Sequence, residues 1–247
     1  MNWLLQNLGP RLRFALRNPR YAVSSLYREV TLADEHFLSS ITGVSARSIR
    51  AFLDEPVHDP AFAATLQAAE SFFKTANTVS ADLYAKKVLL QYAAVRAFAP
   101  DVILETGVAS GVSSSYLLLA LDKNGRGRLH SIELGDQRFL PPGKPPGWIV
   151  PERLRSHWDL QIGDSRELLP KLLAELRTVD IFIHDSLHTY EHMLWEYHAA
   201  YPFIKPGGLL ISDDAAWNPA FPEFCAEVRV ARFQILRGVG FLQKNLP

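Results

Sequence analysis

Apolar residues recur at two different spacings along this chain, and the change falls near Pro100. Before it they repeat at helical intervals. Ala61 to Phe73 carries such a stripe, with Asp59-Pro60 as a start signal. A second helix is predicted from Ala81 to Phe98, its stripe including Leu83, Val88, Leu89, Tyr92 and Val95, and Pro100 stops it. Beyond Pro100, short apolar runs alternate with helical stretches. Val102–Leu104 reads as a buried strand ending at Glu105, followed by a glycine loop and an apolar helix from Val112 to Leu121. Arg128–Glu133 and Trp158–Ile162 read as strands two and three, Ser165–Leu176 as a helix, and Ile181–Ile183 as strand four. A helix through about Phe203 leads to strand five, Leu209–Ile211. A helix near Pro222 to Val230 follows, then a closing hairpin of Arg232–Leu236 with Phe241–Lys244.

Strands alternating with helices imply a doubly wound α/β domain, a mainly parallel sheet covered on both faces with right-handed crossovers. On this reading residues 1–80 form an N-terminal helical extension and residues 81–247 the α/β domain. Such sheets bind ligands beyond the carboxyl ends of their strands, where strand order reverses. The segment 139–152 breaks the alternation with five prolines. They exclude a helix or central strand and leave a stiff loop, either a surface excursion or a lid at the ligand edge.

Composition narrows the function. The chain has 247 residues, 48% hydrophobic and 21% charged, enough for a sizeable core. Its formal net charge is zero, so no global field attracts nucleic acid. The charge is uneven: Arg11, Arg13, Arg17, Arg20 and Arg28 precede the first carboxylate, in a stretch that also carries the apolar residues Trp3, Leu4, Leu5, Leu8, Leu12, Phe14 and Leu16. That arm reads as solvated or self-packing, or as a contact for an anionic membrane or a partner. The single cysteine, Cys225, excludes an internal disulfide and a cysteine zinc site, and is expected in the core. No apolar run approaches the ~20 residues needed to span a bilayer. The start lacks the pattern of a secretory signal, so the cytoplasm is the expected location.

The candidate chemistry follows the strands. Glu105-Thr106-Gly107-Val108-Ala109-Ser110-Gly111 combines glycines, which let the backbone approach a ligand, with a helix start presenting free N–H groups. Ala109 stands where a dinucleotide fingerprint has its second glycine, which argues against a nicotinamide oxidoreductase. Glu133, at the end of strand two, can accept ribose hydroxyls. Asp164 and Ser165 can hold an adenine edge, or serve as N-cap of the next helix. Asp185 ends strand four, and Asp213 and Asp214 end strand five. Three converging carboxylates call for a hard divalent cation, Mg²⁺ above others, unless Asp213 or Asp214 caps a helix and Asp185 contacts only the cofactor. His188 is a candidate general base, with a helix-start contact or metal ligation as alternatives. His184 is expected to face the opposite side, and His192 and His198 to lie on a helix surface. Tyr190, Trp217 and Asn218 are candidates for the substrate mouth.

The ordered blocks ILETGVASG, LHSIELGD, LQIGDSRELLP, VDIFIHDSLHTYEH and KPGGLLISDD resemble the class I S-adenosylmethionine-dependent methyltransferases. The acidic ends of strands four and five are similar to the metal-dependent small-molecule O-methyltransferases among them (methyltransferase family 24). The resemblance implies a seven-stranded sheet with an antiparallel last strand. It implies S-adenosylmethionine as cofactor, with Glu105, Gly107 and Gly111 at its methionine part, Glu133 at the ribose, and Asp164 and Ser165 at the adenine. It also implies a small-molecule acceptor such as a sugar, phenolic or natural-product hydroxyl. Two other readings share the pattern: a cephalosporin hydroxylase-like protein, and a non-catalytic module that keeps the cofactor pocket.

Overall fold

The computed structural model describes residues 33–75, 83 and 85–247. The basic N-terminal arm, and Ala81 at the predicted start of the second helix, lie outside them. Three helices open the described chain: α1 (Ala33–Thr42), α2 (Ala46–Asp54) and α3 (Pro60–Thr75). Ser45 begins α2 by accepting a bond from the Ser48 amide through its side chain. The helix α4 runs over Lys86–Phe98 and ends at Ala99, which takes a left-handed conformation just before Pro100.

The α/β part then follows in order: β1 (Val102–Thr106), α5 (Val112–Asn124), β2 (Arg128–Glu133), β3 (Trp158–Ile162), α6 (Ser165–Leu176), β4 (Val179–His184), α7 (Tyr190–Ala200), β5 (Ile204–Ser212), α8 (Ala220–Glu227), β6 (Arg232–Leu236) and β7 (Val239–Gln243). The seven strands form one sheet in the order β3-β2-β1-β4-β5-β7-β6. Strands β1 to β5 pair in parallel, and β7 runs antiparallel to both β5 and β6. The expected doubly wound sheet, with an antiparallel last strand, is the one found.

Alternation along the strands decides what covers each face. Ile181 and Ile183 of β4 and Leu209 and Ile211 of β5 join the residues of α4 and α5 in one hydrophobic cluster. The intervening Phe182 and Leu210 join α6, α7 and α8 in the other. The first cluster also takes in Leu38, Ile49, Phe62 and Leu66, so α1, α2 and α3 share a core with the sheet. Cys225 is buried among the residues of the second cluster, as expected. No described helix is long and apolar enough to cross a membrane.

The loop between β2 and β3 is neither a free excursion nor an open flap. The Gly147 amide donates to the Ala109 carbonyl at 2.8 Å and the Ile149 amide to the Ser110 carbonyl at 3.1 Å. Trp148 packs edge-on against Phe72 and Phe73 of α3. The proline-rich segment therefore buttresses the glycine loop from one side and touches the N-terminal helices on the other.

Candidate active site

The strand register aligns the carboxyl ends into one rim. Thr106 pairs with Ile132 and with His184, His184 with Ser212, and Glu133 with Ile162. Pairing continues one residue past the strands: the Gly107, Gly163, Asp185 and Asp213 amides donate to the carbonyls of Ile132, Glu133, Thr106 and His184. The residues following β1, β2, β3, β4 and β5 thus stand side by side, on both sides of the point where the order turns from β1 to β4.

The glycine loop starts with Gly107 at φ +87°, and a Cβ there would lie 2.0 Å from the Asp185 carbonyl oxygen. Only glycine permits this crossing of two strand ends. Ala109 also adopts a positive φ, +45°. Glu133 braces the loop: its Oε2 accepts from the Val108 and Ala109 amides, both at 2.8 Å, and its Oε1 from the Gly135 amide at 2.9 Å. Three of the carboxylate's roughly four acceptor positions are occupied by the chain itself. One acceptor position of the carboxylate is left over.

Glu105 is fully buried beneath this loop. Ser113, Ser114 and Ser131 donate their hydroxyls to its carboxylate, and Trp158 Nε1 in turn donates to Ser131 Oγ. Burial pushes the Glu105 carboxyl up to about 7, against the lowering effect of the serine hydroxyls. A folded-state value above the unfolded one gives stability that is present in acid and lost as pH rises from the ordinary carboxylate range through about 7. At 1.36 kcal/mol per unit the loss amounts to about 3 kcal/mol. Urea unfolding at pH 5 and pH 8 is expected to show it, and Glu105→Gln is expected to flatten the difference.

Asp164 is exposed and its Oδ1 accepts from the Arg166 amide at 2.8 Å, so it acts as the N-cap of α6. Ser165 Oγ bonds His192 Nε2 at 3.2 Å. Exposed Leu134 and Ile162 flank the end of Glu133 with apolar surface.

At the β4 and β5 ends, ligand atoms of Asp185, His188 and Asp213 lie within 4.8 Å of one another. Asp214 stands aside from that group with a left-handed φ of +49°, and its carboxylate lies 3.8 Å from His188 Nδ1. Neither Asp213 nor Asp214 caps α8; Asn218 Oδ1 accepts from the Ala220 amide there. Asp213 Oδ1 and His188 Nε2 are buried without hydrogen-bond partners. Burial, with the Asp213 charge second, pushes the Asp185 carboxyl well above its usual range. Burial first, then His184, pushes the His188 imidazole down, which keeps it neutral near pH 7.

The sequence reading missed Lys87. Its Nζ reaches from α4 to Asp213 Oδ2 at 2.6 Å and to Asp214 Oδ1 at 3.8 Å. Burial opposes the ammonium, but Asp213, Asp185 and Asp214 together raise its pKa. The available signal was a lysine pair in the first turn of a helix, where the macrodipole disfavours cations.

A second polar group lies behind this one, centred on fully buried Glu196 of α7. It accepts from His184 Nδ1 at 2.7 Å, His192 Nε2 at 2.9 Å, Thr106 Oγ1 at 2.5 Å and Ser186 Oγ at 2.8 Å. Burial raises the Glu196 carboxyl, yet the bonds from His184 and His192 outweigh it and hold it well below the ordinary range. His192 was expected on the surface of α7 and is 5% exposed; its bond to Glu196 one turn away draws it inward. His184 is also fully buried, on the α7 side of β4, while His198 is half-exposed as expected. Glu196→Ala leaves buried donors without an acceptor and is expected to cost about 3–5 kcal/mol, read as a lowered urea midpoint.

Around the acid cluster, Trp217 is 71% exposed with its ring 5.6 Å from that of His188. Asn218 Nδ2 donates to the His188 carbonyl at 3.1 Å. Tyr190 and Leu187 complete an exposed apolar margin.

Residues 104–215 match a family model described as a methyltransferase domain. A 65-residue stretch is 35% identical to demethylmacrocin O-methyltransferase of Streptomyces fradiae, covering 26% of this chain and 16% of that protein. The chain thus matches only about a sixth of that relative's length. The fold is similar to that of an O-methyltransferase from Bacillus cereus solved in complex with SAH, with a TM-score of 0.54 at 15% identity, covering 73% of this chain and 91% of that one. It is also similar to the calicheamicin methyltransferase CalS11, with a TM-score of 0.50 at 20% identity, covering 75% and 93%.

Proposed function

We propose that the protein, whose residues 104–215 match a methyltransferase domain model, transfers a methyl group from S-adenosylmethionine to a hydroxyl oxygen of a small molecule, assisted by a divalent cation. The observation that carries this reading is the grouping of Asp185, His188 and Asp213 directly against the glycine loop, where Gly107 crosses the Asp185 carbonyl.

S-adenosylmethionine, when bound, supplies a methyl group that is already activated. The glycine loop and Glu133 would hold its methionine and ribose portions, with Glu133 offering its remaining acceptor position. Leu134 and Ile162 provide apolar surface for the base, beside Asp164 and Ser165. Glu105 lies underneath and fixes the loop through α5 rather than reaching the ligand itself.

The donor set also suits Mg²⁺. Asp185 and Asp213 present hard oxygen ligands, and the unpartnered Asp213 Oδ1 is the kind of buried acceptor that a cation satisfies. Such a cation lowers the pKa of an oxygen bound to it. His188, neutral and with Nε2 unpartnered, is placed to take the acceptor's proton at that atom. Asp214, near Nδ1, offsets the positive charge the ring then carries. Leu187, Tyr190 and Trp217 suit an acceptor with an apolar or ring face.

The test is label transfer from methyl-labelled S-adenosylmethionine to a panel of sugar, catechol and phenol acceptors, with Mg²⁺ or with EDTA. Label on oxygen that disappears in EDTA is the expected result. Transfer undiminished in EDTA contradicts the metal-assisted part, and transfer to nitrogen contradicts the hydroxyl.

A further inference from the structure

We propose that Lys87 competes with the divalent cation for Asp213, so that its ammonium sets how tightly the acid cluster holds a metal; this rests on the metal-assisted reading above. Asp213 is shared in a specific way. Oδ2 is taken by Lys87 Nζ at 2.6 Å, while Oδ1 is buried and has no partner. The side chain of Asp213 is 7% exposed, so water does not readily satisfy it. One oxygen is therefore already neutralised by the protein's own cation, and the other has no hydrogen-bond partner in a side chain that groups with Asp185 and His188.

The placement of Lys87 has no local explanation. It sits in the first turn of α4, where a cation meets the positive end of the helix dipole and a carboxylate would be favoured. What offsets this is the acid cluster itself, with Asp213 in contact and Asp214 at 3.8 Å. Lys87 also comes from α4 and not from a strand end, so it lies outside residues 104–215.

With the cation bound and Asp185 deprotonated, Asp185, Asp213 and Asp214 carry three negative charges and Lys87 returns one, leaving the two that a divalent cation balances. A cation on the cluster and an ammonium on the same carboxylate repel each other across a poorly solvated gap. The lysine side chain is 37% exposed and has a route to solvent when the cation arrives. Removing the ammonium removes the repulsion and leaves one more net negative charge, so metal binding tightens. Its presence keeps the loaded cluster neutral instead of anionic, which favours an oxyanion forming on the acceptor.

The experiment is calorimetric titration of Mn²⁺ into the full chain saturated with S-adenosylhomocysteine, for wild type, Lys87→Met, Lys87→Gln and Lys87→Arg. Melting of each metal-free protein is recorded beside it. Lys87→Met and Lys87→Gln are expected to bind Mn²⁺ at least about tenfold more tightly than wild type, and Lys87→Arg to resemble wild type. The metal-free Met and Gln variants are expected to melt lower and to recover on adding Mn²⁺. Equal or weaker Mn²⁺ affinity in the neutral variants overturns the proposal, making Lys87 a strut that holds Asp213 in place. Failure of both neutral variants to fold even with Mn²⁺ overturns it too. If no variant binds Mn²⁺ while S-adenosylhomocysteine still binds, the competition and the metal-assisted reading fall together and the methyltransferase reading stands.

Discussion

Gly107→Ala is expected to cost the fold about 3 kcal/mol or more and to abolish binding of S-adenosylhomocysteine. Two costs combine. The backbone holds φ at +87°, where an L side chain is strained by roughly 1–2 kcal/mol. The added Cβ would also lie 2.0 Å from the Asp185 carbonyl oxygen and 2.8 Å from the Ser186 amide nitrogen, both backbone atoms that no rotamer change can move. Relief requires parting β1 from β4 at the rim, breaking the bond from the Asp185 amide to Thr106 and displacing Asp185. Gly143→Ala is the control, because Gly143 also has a positive φ, +74°, but nothing within 4 Å of an added Cβ. Urea unfolding is expected to separate the pair, with the control losing only about 1 kcal/mol.

Asp213→Ala is expected to lower methyl transfer by roughly 10²–10⁴-fold, the several kcal/mol that a positioned cation contributes, while cofactor affinity stays near the wild-type value. Asp213 is the carboxylate common to the metal group and to the Lys87 pair. Its loss removes a ligand and leaves the Lys87 ammonium beside Asp185 and Asp214, so it changes metal binding and rate together. The glycine loop and Glu133 lie on the other side of Asp185, bonded to each other, and are unaffected. A fall in rate with no change in the Mg²⁺ dependence of the remaining activity would contradict the assignment.

The first, fourth and fifth strands were legible as short apolar runs with a chemically distinct end, and several other elements by their bounding residues. Arg128–Glu133, Trp158–Ile162, Ser165–Leu176 and Arg232–Leu236 begin and end where the sequence places them. The fifth strand is longer than its apolar triplet, because Lys205-Pro206-Gly207-Gly208 continues the extended backbone without contributing to the pattern. The predicted helix at Ala81 begins instead at Lys86 within the described residues, since a hydrophobic stripe does not mark the point where hydrogen bonding starts.

The rim residues were legible for the same reason, but their partners were not. Nothing in the spacing joins Glu133 to the amides of Val108 and Ala109, or Glu105 to three serines on two other elements. Lys87 and Asp213 are distant in sequence and meet only because α4 packs across the sheet. The inward turn of His192 had a readable cue in Glu196 one helical turn later, but a His–Glu pair on a helix is as readily a solvated pair. Tertiary contacts, not local pattern, decide these cases.

Calorimetric titration of S-adenosylhomocysteine into the full chain, with and without Mg²⁺, tests the central claim most directly. Saturable one-site binding in both conditions is predicted, lost in Gly107→Ala and retained in Asp213→Ala. Absence of heat from the wild-type protein under either condition would contradict the assignment of this rim as a site for an adenosyl sulfonium cofactor.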